Sequence, residues 1–163
     1  AEEVGGWDHI RDMGLALGVV YDEQAGQYRT YFEKDVDRLI IDLMSADMVV
    51  GFNVKRFDYV VLAGYRDAAY ERIRTCDLLE HLHQQLGFRL KLNHLAEKTL
   101  GTGKSADGLQ SLQWFRQGRL DLIERYCRQD VEVTRQLYLF GKKHGYLLYE
   151  GRDRGVRRVR VTW

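Results

Sequence analysis

No proline occurs among the 163 residues, where about 5% is usual; this absence has no physical reading of its own. Only two cysteines are present, Cys76 and Cys127. Two cannot build a disulfide framework, so both are expected as reduced residues of the core. No stretch approaches 18 uninterrupted apolar residues, so nothing is expected to span a membrane. The opening Ala1-Glu2-Glu3-Val4-Gly5-Gly6 is acidic and lacks the apolar segment of a signal peptide. Cytoplasmic residence is the default expectation. Net charge is almost absent, at +1, but unevenly spread. Residues 151–163 hold five Arg and one Asp, which is +4, so residues 1–150 sum to −3. Apolar residues make up 45% and charged residues 30%, which excludes a disordered or collagen-like chain.

With no repeat, no low-complexity tract and no linker, residues 1–163 read as one domain with a terminal hairpin over 146–163. Met13 to Tyr21 is an apolar run, and Gln27 to Phe32 alternates polar and aromatic residues. With Asp22-Glu23-Gln24-Ala25-Gly26 between them, they read as a β-hairpin. Positions 36, 39, 40, 43 and 44 are apolar at helical spacing, with Asp35 as N-cap. Met48 to Phe52 reads as a buried strand, and a helix is expected from Phe57 to Ala63. From Asp77 onward the pattern predicts helices near 77–86, 92–100, 108–117 and 119–144, stopped by Gly87, Gly101, Gly118 and Gly145. Tyr146–Glu150 and Val156–Val161 then pair around Gly151-Arg152-Asp153-Arg154-Gly155. Early strands and late helices indicate a mixed α/β sheet flanked by helices.

Two stretches carry chemistry. In Gly51 to Leu62 an apolar strand runs into Asn53, and a carboxylate, Asp58, opens the next apolar helix. Active sites in open α/β sheets gather at the carboxyl ends of strands, so Asp58 stands where a catalytic acid would sit; the alternative is that it only caps its helix. In the long helix, Leu120, Ile123, Cys127, Thr134 and Leu137 mark the buried stripe, and Asp130 falls on it. An inward carboxylate is costly unless paired or bound to metal, so Asp130 is either a ligand or the partner of a buried arginine. Tyr126 precedes it by about one turn on nearly the same face.

Taken together, Asn53…Phe57-Asp58 and Tyr126…Asp130 resemble the second and third acidic motifs of the DnaQ-like 3′–5′ exonucleases of the ribonuclease H-like fold, with the tyrosine of the DEDDy branch. Lys91 to Gly101 is similar to that family's helix-and-glycine segment. Glu3 to Trp7 and Tyr146 to Tyr149 are similar to the YprB-type ribonuclease H-like domain, a group sometimes joined to helicases. One motif is missing. The family's Asp-x-Glu on the first, central strand is found on none of the predicted strands; Asp35-Val36-Asp37 is nearest in the early part of the chain, but it follows the hairpin and opens a helix. The chain is therefore expected to begin just after that motif, with the sheet lacking its first strand.

The resemblance implies two-metal hydrolysis of phosphodiester bonds in single-stranded DNA or RNA, with Mg²⁺ or Mn²⁺ as the hard cations. Asp58 and Asp130 would be ligands, and Tyr126 would orient water. Asn53, Lys55, Arg56, Phe57 and Lys104 would contact nucleic acid. A helicase or repair protein, in cis or in trans, is the expected partner. The alternative is a catalytically incomplete nucleic-acid-binding or docking module. Gly101-Thr102-Gly103-Lys104-Ser105 is not a P-loop, because Lys98 stands where its first glycine belongs. His81 and His83 do not share a helix face and no paired Cys motif supports them, so zinc is not expected. Arg152, Arg154, Arg157, Arg158 and Arg160 read equally as a phosphate-binding strip or as charges guarding an edge strand.

Overall fold

The computed structural model describes residues 15–102 and 108–163. Leu17–Asp22 (β1) and Gln27–Phe32 (β2) pair antiparallel. Their turn is set by Asp22, whose carboxylate accepts from the Gln24 and Ala25 amides at 3.0 and 3.1 Å while its carbonyl accepts from Gly26 at 2.7 Å. Val36–Ser45 (α1) follows. Asp35 does not cap it through its side chain; the carboxylate turns back to accept from the Phe32 amide at 3.0 Å, closing a tight turn over Glu33–Asp35.

Val49–Gly51 (β3) runs into a wide turn, Val54–Asp58, and then the short helix Tyr59–Ala63 (α2). β3 pairs in parallel with Thr75–Asp77 (β4), a strand the sequence pattern does not announce. Helices Leu78–Leu86 (α3), Leu92–Leu100 (α4), Gly108–Arg116 (α5) and Leu120–His144 (α6) lie within two residues of the predicted bounds. Gly145, at φ 76°, turns α6 into the hairpin of Tyr146–Glu150 (β5) and Val156–Arg160 (β6).

Among the described residues the strands do not form one sheet. They form three two-stranded sheets, β1-β2, β3-β4 and β5-β6. No described strand joins β1 to β3, although both pack on α6.

Two apolar clusters hold the layers. Leu78, Leu82, Leu95, Leu137 and Leu147 are fully buried and pack with Tyr149, Val159 and Val161. Tyr31, Val36, Leu39, Ile40 and Leu62 form the second cluster, between β2, α1 and α2. On α6, Ile123, Thr134 and Leu137 are buried as the spacing predicts, Cys127 is half-buried, and Gly141 is buried as well. Leu120 is not; it is the first residue of the helix and stays 38% exposed.

Candidate active site

The site is built where β3 ends. Gly51 has no room for a side chain: a Cβ would lie 2.3 Å from Cγ1 of Val54. That close approach lets the chain fold back at once. Asn53 then takes the left-handed conformation (φ 63°, ψ 25°), which asparagine tolerates better than most residues. The next five residues form a single π-type turn in which the Tyr59 amide reaches the Val54 carbonyl. Such turns are frequent at functional sites.

Asp77 fixes this turn. It is buried, ends β4 and caps α3. Its carboxylate accepts from the amides of Asn53 at 2.8 Å, Lys55 at 3.1 Å and Glu80 at 3.3 Å. Two strands that share only three residues of pairing are thereby tied at their carboxyl ends. From below, Tyr59 is anchored by its hydroxyl, 2.8 Å from Oγ1 of Thr75.

Asp58 closes the turn. It has helical dihedrals and makes no side-chain capping bond, so the capping alternative does not account for it. The residue is open to solvent, yet protein mass surrounds its carboxyl group on most sides. These two facts together describe an open recess. Desolvation there, with the Asp77 carboxylate adding, pushes the Asp58 carboxyl up to about 7.

Asp130 approaches from α6. It is half-buried, and its carbonyl accepts from Oγ1 of Thr134 at 2.8 Å. The thiol of Cys127, one turn earlier, is pushed up to about 12, first by burial and then by the carboxylates of Asp130 and Asp58. Both acids thus lie within electrostatic reach of one sulfur. Tyr126 lies in the same turn of α6, its ring edge-on to Trp114 of α5 at 6.4 Å between centroids.

The remaining candidates have mixed placements. Besides its αL backbone, Asn53 accepts a bond from Arg89 through Oδ1 at 3.1 Å. The Lys55 ammonium is committed to Glu80 at 2.9 Å. Arg56 is exposed and has no ion pair among the described residues. Phe57 is half-buried. Lys104 lies outside the described residues. His94 accepts from the Glu150 amide at 2.9 Å and His81 from the Thr162 amide at 3.4 Å, so both imidazoles serve the backbone.

Asp77 is missed by sequence reasoning, which places it inside a helix. The signal is present: Asp77-Leu78-Leu79-Glu80 has the spacing of an N-cap and its third helical residue.

A cavity of about 400 Å³ lies elsewhere, lined by residues such as Arg74, Asp77, His81, Lys142 and Trp163; Asp58, Tyr126 and Asp130 do not line it. Carboxylate oxygens are the donors that hard divalent cations prefer. Among the described residues no three potential ligands converge on one point. The carboxylates of Asp58 and Asp130 are donors of the right chemistry for such a cation, and the rest of its shell would fall to water or substrate phosphate.

Among the described residues, no helix is long and apolar enough to cross a membrane. A family model described as the RNase H superfamily matches residues 3–140. No curated protein and no solved structure matches the chain. The mixed α/β architecture, with small sheets and six helices among the described residues, agrees with that fold.

Proposed function

Because the chain belongs to the RNase H superfamily, whose domains are usually nucleases, we propose that it is a metal-dependent 3′–5′ exonuclease of the DnaQ-like kind, nearest to the YprB-type domain. The observation that supports this is that Asp58 and Asp130 both lie within electrostatic reach of the Cys127 thiol. One acid comes from a strand-end turn and the other from the inner face of a long helix. Such a pair is what metal-assisted phosphodiester hydrolysis requires.

In this reading Asp58 and Asp130 hold divalent cations, Mg²⁺ or Mn²⁺, which when bound stabilise charge on the attacking and leaving oxygens. Asp77 acts at one remove, as a positioning residue: it holds the turn that presents Asp58. The Asp58 carboxyl, raised to about 7, ionises readily once a cation lies beside it, so metal uptake releases protons near neutral pH. Tyr126 directs its hydroxyl to the attacking water. Arg56, exposed at the mouth of the turn, meets substrate phosphate. Single-stranded DNA or RNA is the substrate class, and a helicase or repair protein is the partner in cis or in trans.

The test is digestion of a labelled single strand in Mg²⁺, with the label and a blocking group placed in turn at each end. Loss of product on blocking the 3′ end is expected. Asp58→Ala and Asp130→Ala each lower the rate by at least about a hundredfold, roughly 2.7 kcal/mol of barrier. Tyr126→Phe lowers it by about tenfold, roughly 1.4 kcal/mol. Digestion that survives Asp130→Ala or EDTA rules the mechanism out. A second reading, a binding module without catalysis, is favoured by the lack of a third converging ligand among the described residues. It predicts strand binding with no digestion under any metal.

A further inference from the structure

The arginines of the terminal hairpin lie beyond residue 140, outside the part of the chain that the family model matches. The register Tyr146↔Arg160 and Leu148↔Arg158 puts Arg158 and Arg160 on one face of the hairpin together with Tyr146. On the opposite face Leu147, Tyr149, Val159 and Val161 are buried in the core. The arginine face is aromatic as well as basic. The Arg158 guanidinium lies 4.2 Å from the centroid of the Tyr146 ring. Phe140, His144 and Tyr146 form a mutual cluster, with centroids 4.4, 5.7 and 5.9 Å apart. Lys142 and Lys143 stand in the last turn of α6, with the Lys142 ammonium over the Tyr138 ring.

Charges that only guard an edge strand need no ring partners and can be balanced by neighbouring acids. Here Arg157 alone of the five arginines has a carboxylate, Asp153 at 3.1 Å; Arg152, Arg154, Arg158 and Arg160 have none among the described residues. Arg154 adds an independent sign. It sits at the hairpin tip with φ 62°, one of two non-glycine residues with positive φ among the described residues. That conformation suits glycine or asparagine, and holding an arginine there costs about 1 kcal/mol. A cationic side chain is thus displayed at the tip against the backbone's preference.

We infer that this hairpin face is a second binding surface for single-stranded nucleic acid, separate from the recess at Asp58 and Asp130. Phosphates meet the guanidiniums that have no carboxylate among the described residues, and bases stack on the Tyr146 and His144 rings, the combination by which strands are held without sequence preference. The inference rests on the nucleic-acid reading above and deepens it. Asp130 and His144 are on one helix, fourteen residues apart, which at 1.5 Å per residue is about 21 Å. A strand that occupies both surfaces spans that length, so the hairpin retains substrate while its end is in the recess.

The test is fluorescence anisotropy of a labelled 20-nucleotide single strand in EDTA, titrated across 50–200 mM KCl, on the whole chain. Arg158→Gln with Arg160→Gln is expected to weaken binding at least tenfold at low salt. It should also flatten the slope of log K against log salt by about 1.4, the value for two lost phosphate contacts on a single strand. Arg158→Lys with Arg160→Lys restores the slope but not the full affinity, because the charge returns without the flat, stacking guanidinium. Arg154→Gly gives a reading that misfolding cannot imitate: the melting temperature rises as strain is relieved, while affinity falls. Unchanged affinity and slope in the double Gln variant overturn the inference, as does a parent protein that binds polyglutamate but no strand. Failure of digestion with hairpin-dependent binding intact defeats the exonuclease reading alone and leaves this surface standing.

Discussion

α6 is held in two different ways along its length. Toward its carboxyl end Leu137 packs among Leu78, Leu82, Leu95 and Leu147, all fully buried. Farther back, its outer face meets the β1-β2 hairpin through charge and ring contacts. Arg128 lies 5.0 Å from the centroid of Tyr28, and Arg135 lies 4.6 Å from that of Tyr21. The Tyr28 hydroxyl donates to Glu132, and Arg135 donates to Glu23 at 2.7 Å. Apolar burial is non-directional and insensitive to salt, whereas these contacts are directional and screened. Cys127 and Asp130 lie on the second stretch of α6. Of the two candidate acids, Asp130 is therefore carried by a helix that apolar burial holds at one end and directional polar contacts hold beside the acid.

Mutation can break that comparison at either side. The largest effect is expected from Leu137→Ala, which empties a fully buried site and costs about 4 kcal/mol; urea denaturation checks it, and a loss below about 1 kcal/mol would mean the apolar end does not anchor the helix. Next comes Asp77→Ala. It strips three backbone amides of their acceptor, costing about 3 kcal/mol, and it lowers strand digestion even at temperatures where the protein stays folded. Full activity in the folded variant would show that the turn holds Asp58 without help.

A smaller effect concerns pH. The folded protein raises the Asp58 carboxyl to about 7, against roughly 3.9 in an unfolded chain. The folded state thus holds that proton more tightly, and its stability falls as pH rises from about 4 to 7. Asp58→Asn removes the penalty. Its melting temperature in EDTA should exceed that of the parent by a few degrees at pH 8 and match it at pH 4; the same difference at both values would refute the recess. The smallest effect is Tyr28→Phe, which keeps the ring under Arg128 and loses only the bond to Glu132. It should cost less than about 1 kcal/mol and speed hydrogen exchange in β1 and β2 while leaving α3 and α4 unchanged.

The sequence made the helices and both hairpins legible because each is long enough to show its period. α4 matches its predicted bounds, 92–100, residue for residue. β4 was illegible for the opposite reason: Thr75-Cys76-Asp77 is too short to alternate, and its pairing with β3 is a tertiary event. The turn at Val54–Asp58 has the residue pattern of an ordinary helix, and no periodicity records its extra width. Asp58 and Asp130 could be picked out as an acid at a strand end and an acid on an apolar stripe. Their shared neighbour, Cys127, looked like core alone, because a thiol gives no sign in sequence of which carboxylates surround it.

The contact at Gly51 also bears on how this domain can change over generations. Replacing Asp58 by Asn leaves the backbone alone and alters one charge, and a single further substitution reverses it. Replacing Gly51 by Ala adds one methyl group 2.3 Å from Cγ1 of Val54, so Val54 must shift, and it is the first residue of the turn that ends in Asp58. A descendant of the first kind can regain its acid; a descendant of the second keeps all its acids and has lost their arrangement. Inventories of carboxylates therefore misjudge which descendants of this domain are spent, and the glycine packed against Val54 is the better marker.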